Sequence, residues 1–260
     1  MLIYSKLQIE LFLSILSRIY FLNRQKMSNI ALQFLIRNIL LFMKTLHIPY
    51  IETLNDATVE SAADILDETG KKSTIDILNW PDQYAYKPIT YFYIGRSSDA
   101  VFIKYTVKGS MLKAVYTKDH SPVHEDSCVE FFCMPEGEEK YTNFEFNCIG
   151  TCSASSRKGR NIDLVAFSPQ EMSSIERYPS IGRRAFKEME GIFEWELTVK
   201  IPMKLMNIDP KKIPEKIRAN FYKCADDTDS MHFLSWAPIK TENPDFHRPE
   251  FFGELYFTEK

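Results

Sequence analysis

Residues 126–150, DSCVEFFCMPEGEEKYTNFEFNCIG, alternate apolar and polar side chains in two runs, and no other stretch restricts the fold as tightly. In the first run Val129, Phe131 and Cys133 point one way, and Cys128, Glu130 and Phe132 the other. In the second, Phe144, Phe146 and Cys148 share a face opposite Asn143, Glu145 and Asn147. A period of two is the signature of strands half buried in a sheet. The PEGEEK segment between them has the proline, glycine and charge of a hairpin loop. Matching the two apolar faces sets the register by parity: Glu130 falls opposite Glu145, and Cys128 opposite Asn147. Two carboxylates then neighbour each other on one sheet face. That pairing is unfavourable unless a cation, an arginine, a proton or a hydrogen-bonding ligand compensates. The plainer alternative is a solvated face from which both side chains splay into water.

The rest of the chain repeats the pattern around this hairpin. ITYFYIGR, AVFIKYTV and MLKAVYT read as three short strands separated by Ser-Ser-Asp and Lys-Gly-Ser turns. Residues 192–201 alternate with Phe193, Trp195, Leu197, Val199 and Ile201 on one side, which places Trp195 in the core. RANFYKCAD, HFLSWAPI and FFGELYF supply the last strands. A short helix is expected near residues 58–68, stopped at Gly70. Trp80-Pro81 with Tyr84 and Tyr86 reads as a packed plug. TCSASSRKGRN after Gly150 reads as a flexible basic loop, and residues 163–183 as irregular. Many short strands with turn signals between them and only small helical pieces argue an all-β protein, a β-sandwich.

Residues 1–42 do not share this alternation. Their two apolar runs, 7–22 and 30–42, are broken by Glu10, Arg18 and Arg37. Each is short and charged for a membrane span, which needs about 20 mostly apolar residues, so the segment reads as an amphipathic helical pair, a poor membrane anchor or, the favoured reading, an upstream extension from a start that is not the natural one. It is expected to form an N-terminal extension outside the domain, with Met43-Lys44 opening the folded region at 43–260. A start there favours a cytoplasmic location over a periplasmic or extracellular one. The formal charge of −3 gives no electrostatic case for nucleic acid. The five cysteines form no CxxC and their spacings match no zinc site; they read mainly as reduced small hydrophobes, with one disulfide open but not required. Serine-hydrolase, metalloprotease, P-loop and dinucleotide motifs are missing.

EDSCVEFFCMPEGEEKYTNFEFNCIGT, RANFYKCAD and LSWAPIKTENPDFHRPEFFGELYF together resemble the family 9 carbohydrate-binding modules, in the branch of stand-alone bacterial proteins. The resemblance runs from about residue 89 to 257. It implies a sandwich of immunoglobulin-like or distorted jelly-roll form that binds an oligosaccharide or polysaccharide without cleaving it, with structural calcium in some members. Carried over by position, it implies a binding role for Glu130, Glu145, Asn147, Arg218, Asn220 and Trp236. His124 stands where sugar-gripping members tend to have tryptophan, so half of their aromatic clamp is replaced. The residue types suit the task. An aromatic ring meets the C–H face of a sugar, and carboxylate, amide and guanidinium groups meet its hydroxyls. Trp236 is thereby expected at a solvent-facing rim, the alternative being a core position under the last loop. Arg218 has a structural alternative as an ion pair to Glu130 or Glu145.

Two other classes of function compete. Glu130 and Glu145 could serve as a glycosidase pair, since such enzymes use two carboxylates about 5–10 Å apart. The fold could also have lost sugar binding and serve as an interaction domain, a reading that His124 favours.

Overall fold

The computed structural model describes residues 44–259, and the extension expected over residues 1–42 lies outside them. The alternating runs become the strands of two stacked sheets. The first has the order β1-β14-β12-β6-β7-β8-β9, with β13 and β3 attached beside β12. Its strands are β1 (Thr45–Ile48), β3 (Ile77–Leu78), β6 (Cys128–Pro135), β7 (Tyr141–Asn147), β8 (Cys152–Arg157), β9 (Val165–Ala166), β12 (Lys216–Cys224), β13 (Phe233–Ser235) and β14 (Gly253–Phe257). The second has the order β10-β11-β5-β4-β2, built from β2 (Lys71–Thr74), β4 (Ile89–Arg96), β5 (Ala100–Ala114), β10 (Glu176–Pro179) and β11 (Phe186–Pro202). The described residues form an all-β sandwich with two short helices, α1 (Ser61–Thr69) and α2 (Pro169–Ser174). No helix among them is long and apolar enough to cross a membrane.

The core lies between the sheets. Val129, Phe131, Phe144, Phe146 and Phe221 from the first meet Phe92, Ile103, Trp195, Leu197 and Val199 from the second. Phe221 stacks on Phe92 at 4.1 Å between ring centroids and on Phe131 at 4.9 Å. Trp195 is buried, as its alternation requires. The outer face of the first sheet is not left to solvent. Loops carrying Trp80, Phe233, Ile239, Phe246 and Phe252 fold over it and form a second apolar cluster with Phe132, Tyr141 and Tyr222. The Trp80 plug belongs here, its Nε1 donating to the Thr241 carbonyl at 2.8 Å.

Three stretches depart from the sequence reading, the first being residues 163–183, read as irregular, which hold β9, α2 and β10. AVFIKYTVKGSMLKA is a single 15-residue strand, with no turn at Lys108–Ser110. It stays paired to β11 throughout, with Lys108 opposite Glu194 and Gly109 opposite Phe193, and the irregularity falls in β11, as a register shift between Glu190 and Phe193. Gly109 leaves room for close approach: a Cβ would lie 2.6 Å from the Tyr86 hydroxyl, which would have to shift. The stretch read as a flexible loop after Gly150 contains β8, fully paired with β7 from Tyr141↔Arg157 to Phe146↔Cys152. Serine is a weak strand former, and β8 owes its state to that neighbour.

Candidate functional site

Registers on the outer face of the first sheet set out a grid of side chains. Glu130 lies opposite Glu145 and Cys128 opposite Asn147, the pairing that parity requires. On one side, Cys224 faces Cys128, Tyr222 faces Glu130 and Asn220 faces Phe132. On the other, Ser153 faces Glu145, Ser155 faces Asn143 and Arg157 faces Tyr141. Above the grid opens a cavity of about 710 Å³. Its floor carries Glu130, Glu145 and Ser153, and its walls include Arg157, Asp226, Tyr84, Phe233, Phe246 and His247. The Arg160 guanidinium bonds Asp245 Oδ1 through Nε at 3.2 Å and Nη2 at 3.0 Å, which ties two loops across the rim.

The carboxylate pair is buried, with Glu130 3% and Glu145 7% exposed. Burial, and then the facing Glu145, push the Glu130 carboxyl well above the usual carboxylate range. Burial also raises Glu145, but His124, Arg157 and Asn143 draw it back. The two titrate as a unit that holds a proton more tightly than a free carboxylate does. Asn143 Nδ2 donates to Glu145 Oε1 at 2.9 Å, and His124 Nδ1 lies 3.9 Å from Oε2. Glu130 Oε1 meets only thiols, Cys224 Sγ at 3.2 Å and Cys128 Sγ at 3.9 Å.

A relay fixes the polar wall. Arg157 donates through Nε at 2.9 Å and Nη2 at 2.6 Å to Ser155 Oγ. Ser155 Oγ donates to Asn143 Oδ1 at 2.7 Å, and Asn143 holds Glu145. Cation and carboxylate are thus set two sheet rows apart. On the far wall His247 Nδ1 lies 2.8 Å from the Tyr141 hydroxyl. Burial, with Arg157 and Arg160 nearby, pulls its imidazole down to about 3, so it is neutral at physiological pH. Burial raises Asp226 to about 6.

Of the expected site residues, Glu130, Glu145 and His124 line the cavity. The other four do not. Trp236 is fully buried in the sandwich core, not at a rim. Its N–H bonds the Phe221 carbonyl at 2.8 Å, which extends the β12–β13 pairing and gives it the face of Phe221. Its ring meets Phe221 edge-on at 5.7 Å, and its Nε1 donates to Ser73 Oγ at 3.0 Å. Arg218 forms no ion pair to Glu130 or Glu145; it donates to the Pro249 carbonyl, beyond the cavity. Asn220 clasps Ala237, donating to its carbonyl at 3.0 Å and accepting its N–H at 2.8 Å. Asn147 bonds Tyr116 O, Asp126 Oδ2 and the Thr151 N–H, and so fixes the loops below the floor. The aromatics that do reach the cavity are Tyr84 from the lead-in, Phe233 from β13 and Phe246 from within the last proline-rich loop. Arg157 was missed because its strand was read as a loop, although Ser153, Ser155 and Arg157 do alternate with Cys152 and Ala154.

The donor set does not suit calcium. That ion takes six to eight oxygen ligands. The cluster of possible ligand side chains among the described residues is Cys128, Glu130 and Cys224, with one carboxylate. All five thiols are free and buried.

A sequence model of carbohydrate-binding family 9 matches residues 60–257. Among solved structures, a candidate carbohydrate-binding protein from Bacteroides uniformis is 33% identical, with a TM-score of 0.76, and the match covers 83% of this chain and all 100% of that one. A family 9 carbohydrate-binding module from Caldicellulosiruptor kristjanssonii, in complex with glucose, superposes with a TM-score of 0.53 at 10% identity, over 84% of this chain and 97% of that one. No curated protein matches the sequence.

Proposed function

This chain belongs to carbohydrate-binding family 9, and from that premise we propose that it holds a saccharide in the cavity above Glu130 and Glu145 and does not cleave it. One observation carries the reading: two buried carboxylates sit side by side on a cavity floor with no arginine or lysine of the described residues ion-paired to them. Such a pair needs hydrogen-bond donors. Sugar hydroxyls supply them, and a carboxylate accepting from a hydroxyl makes a strong, short bond. Arg157 offers donors to acceptor oxygens on the same ring. Tyr84, Phe233 and Phe246 offer apolar surface to its C–H face. The cavity has the size of a small-ligand site, so recognition is confined to a few rings.

Membership of a carbohydrate-binding family supports binding over the glycosidase reading. Glu130 and Glu145 rise from one sheet face as direct cross-strand neighbours. A hydrolytic pair must flank the scissile bond, an acid on one side and a nucleophile or base on the other. Direct cross-strand neighbours lie at the short end of the separations that such pairs use.

Calorimetric titration against a glycan panel, beginning with glucose and short glucans, tests the proposal. Wild type is expected to bind at least one member, to release no hydrolysis product, and to lose about tenfold or more in affinity in Glu145→Gln, the cost of one charge-assisted bond. Sustained product release, or a silent panel with folded protein, refutes it.

A further inference from the structure

The floor holds a second constellation, which shares Glu130 with the saccharide site proposed above. Cys128 and Cys224 are register partners on neighbouring strands, and Glu130 lies two residues along from Cys128 on the same face. Pleat and register alone therefore converge three side chains on one point. Their ligand atoms all lie within 4.8 Å of one another, and all three residues are buried. Glu130 Oε1 is 3.2 Å from Cys224 Sγ and 3.9 Å from Cys128 Sγ.

We propose that Cys128, Cys224 and Glu130 form a binding site for a soft divalent cation, zinc above all, at the base of the cavity. Two thiolates and a carboxylate are a zinc donor set, and bond lengths of about 2.3 Å to sulfur and 2.1 Å to oxygen put tetrahedral ligands some 3.5 Å apart. The two oxygen–sulfur separations bracket that value, so the ion can enter with small rotamer changes. A fourth position faces the cavity, since Glu130 and Cys224 both line it. Asp226, two residues beyond Cys224, lines the same cavity, and its buried Oδ1 has no hydrogen-bond partner among the described residues. Asp226 is not among the residues whose ligand atoms lie within 4.8 Å of one another, so its place is outside the ring of direct ligands, holding a water on the ion.

The charges also fit. The ion displaces one proton from each thiol, and the resulting thiolates and carboxylate carry one negative charge more than the cation offsets. The buried Lys223 amine, held by the Cys224 carbonyl at 2.7 Å and His232 Nε2 at 2.9 Å, is within electrostatic reach of both thiols. The ion takes over the Glu130 oxygen that meets only thiols without it, and relieves the like-charge contact with Glu145. The site requires no sugar.

The test uses the full chain, stripped with chelator under reducing conditions and titrated with cobalt(II), then with zinc. One equivalent of cobalt is expected to bind. Its spectrum should show thiolate-to-cobalt charge transfer and the intense visible bands of a tetrahedral site, and zinc should abolish both. Cys224→Ser is expected to weaken binding by more than about 100-fold, beyond what loss of an outer-shell partner costs. Cys133→Ser, at a buried thiol on the core side, should leave it unchanged. Because Cys224→Ser could fail to fold, X-ray absorption on the wild-type zinc protein gives a reading that needs no variant: a shell of about two sulfurs near 2.3 Å. A shell of nitrogen and oxygen only, or no stoichiometric uptake, overturns the site whatever the glycan titration shows.

Discussion

Trp236 lies in a loop between two strands, flanked by serine and alanine and followed by three prolines. That composition reads as exposed, and the ring is nonetheless at the centre of the sandwich. What decides its direction is one backbone bond, Trp236 N–H to the Phe221 carbonyl, which carries the parity of β12 one residue past the end of β13. Parity within a strand is visible in sequence; the partner across which it continues is not. The same parity argument worked for Glu130 and Glu145 because both strands of their hairpin are contiguous. Two outcomes follow for single residues. Trp236→Ala is expected to destabilise the fold by about 3–5 kcal/mol, the range for a buried large-to-small change, read from the urea midpoint. Gly253→Ala is expected to destabilise as well, because its Cβ would lie 2.5 Å from Trp236 Cζ3 and 2.5 Å from the Lys44 carbonyl oxygen, neither of which can retreat. If Trp236→Ala keeps its stability and loses ligand affinity, the ring reaches solvent in the working protein.

At the scale of elements, β8 shows how a strand can hide. Its serines have little β propensity, yet Ser155 is the hinge of the relay from Arg157 to Asn143 and Glu145. The strand is small and polar because its outward side chains are connectors within a site. Ser155→Ala should leave the thermal midpoint within a few degrees of wild type while lowering saccharide affinity about 3- to 10-fold, the scale of one lost hydrogen bond of about 1 kcal/mol. Calorimetry on wild type and variant checks both halves. A large fall in the midpoint with unchanged affinity would make Ser155 a packing residue only. The Lys108–Ser110 segment taught the converse. Glycine between lysine and serine reads as a turn, but a glycine also marks close approach, here by the Tyr86 hydroxyl, and sequence alone does not separate the two.

Across the whole molecule, the sandwich class was legible because alternation recurs in nearly every segment. The overlay of loops on the outer face of the first sheet was not, since it is assembled from aromatics in segments as distant as Trp80 and Phe246. That overlay makes the site buried, and burial sets a pH dependence. His247 is held near 3, well below the ordinary 6.5 of the unfolded chain. The unfolded chain therefore binds more protons between these values, and the stability from neutral His247 is intact above about 6.5 and drains as pH falls toward 3. His232, pulled down by burial, acts in the same direction. Urea midpoints measured down this range should decline, by at most ~1.4 kcal/mol per pH unit for each histidine. His247→Gln should flatten the decline. An equally steep acid limb in that variant would assign it to other groups.

β1 and β14 lie side by side in parallel, Thr45 against Glu254 and Ile48 against Phe257, and β14 alone joins β1 to the rest of its sheet. The earliest described strand thus waits for the latest. During synthesis Leu46 and Ile48 have no sheet to enter until nearly all of residues 44–257 have left the ribosome, and the β12 edge that will receive β14 stands open meanwhile. Closure of that edge is a late event of long sequence separation, the slow kind. Nascent chains of this protein should depend on chaperones that shield strand edges, and refolding from denaturant should be most prone to aggregation before the two ends meet.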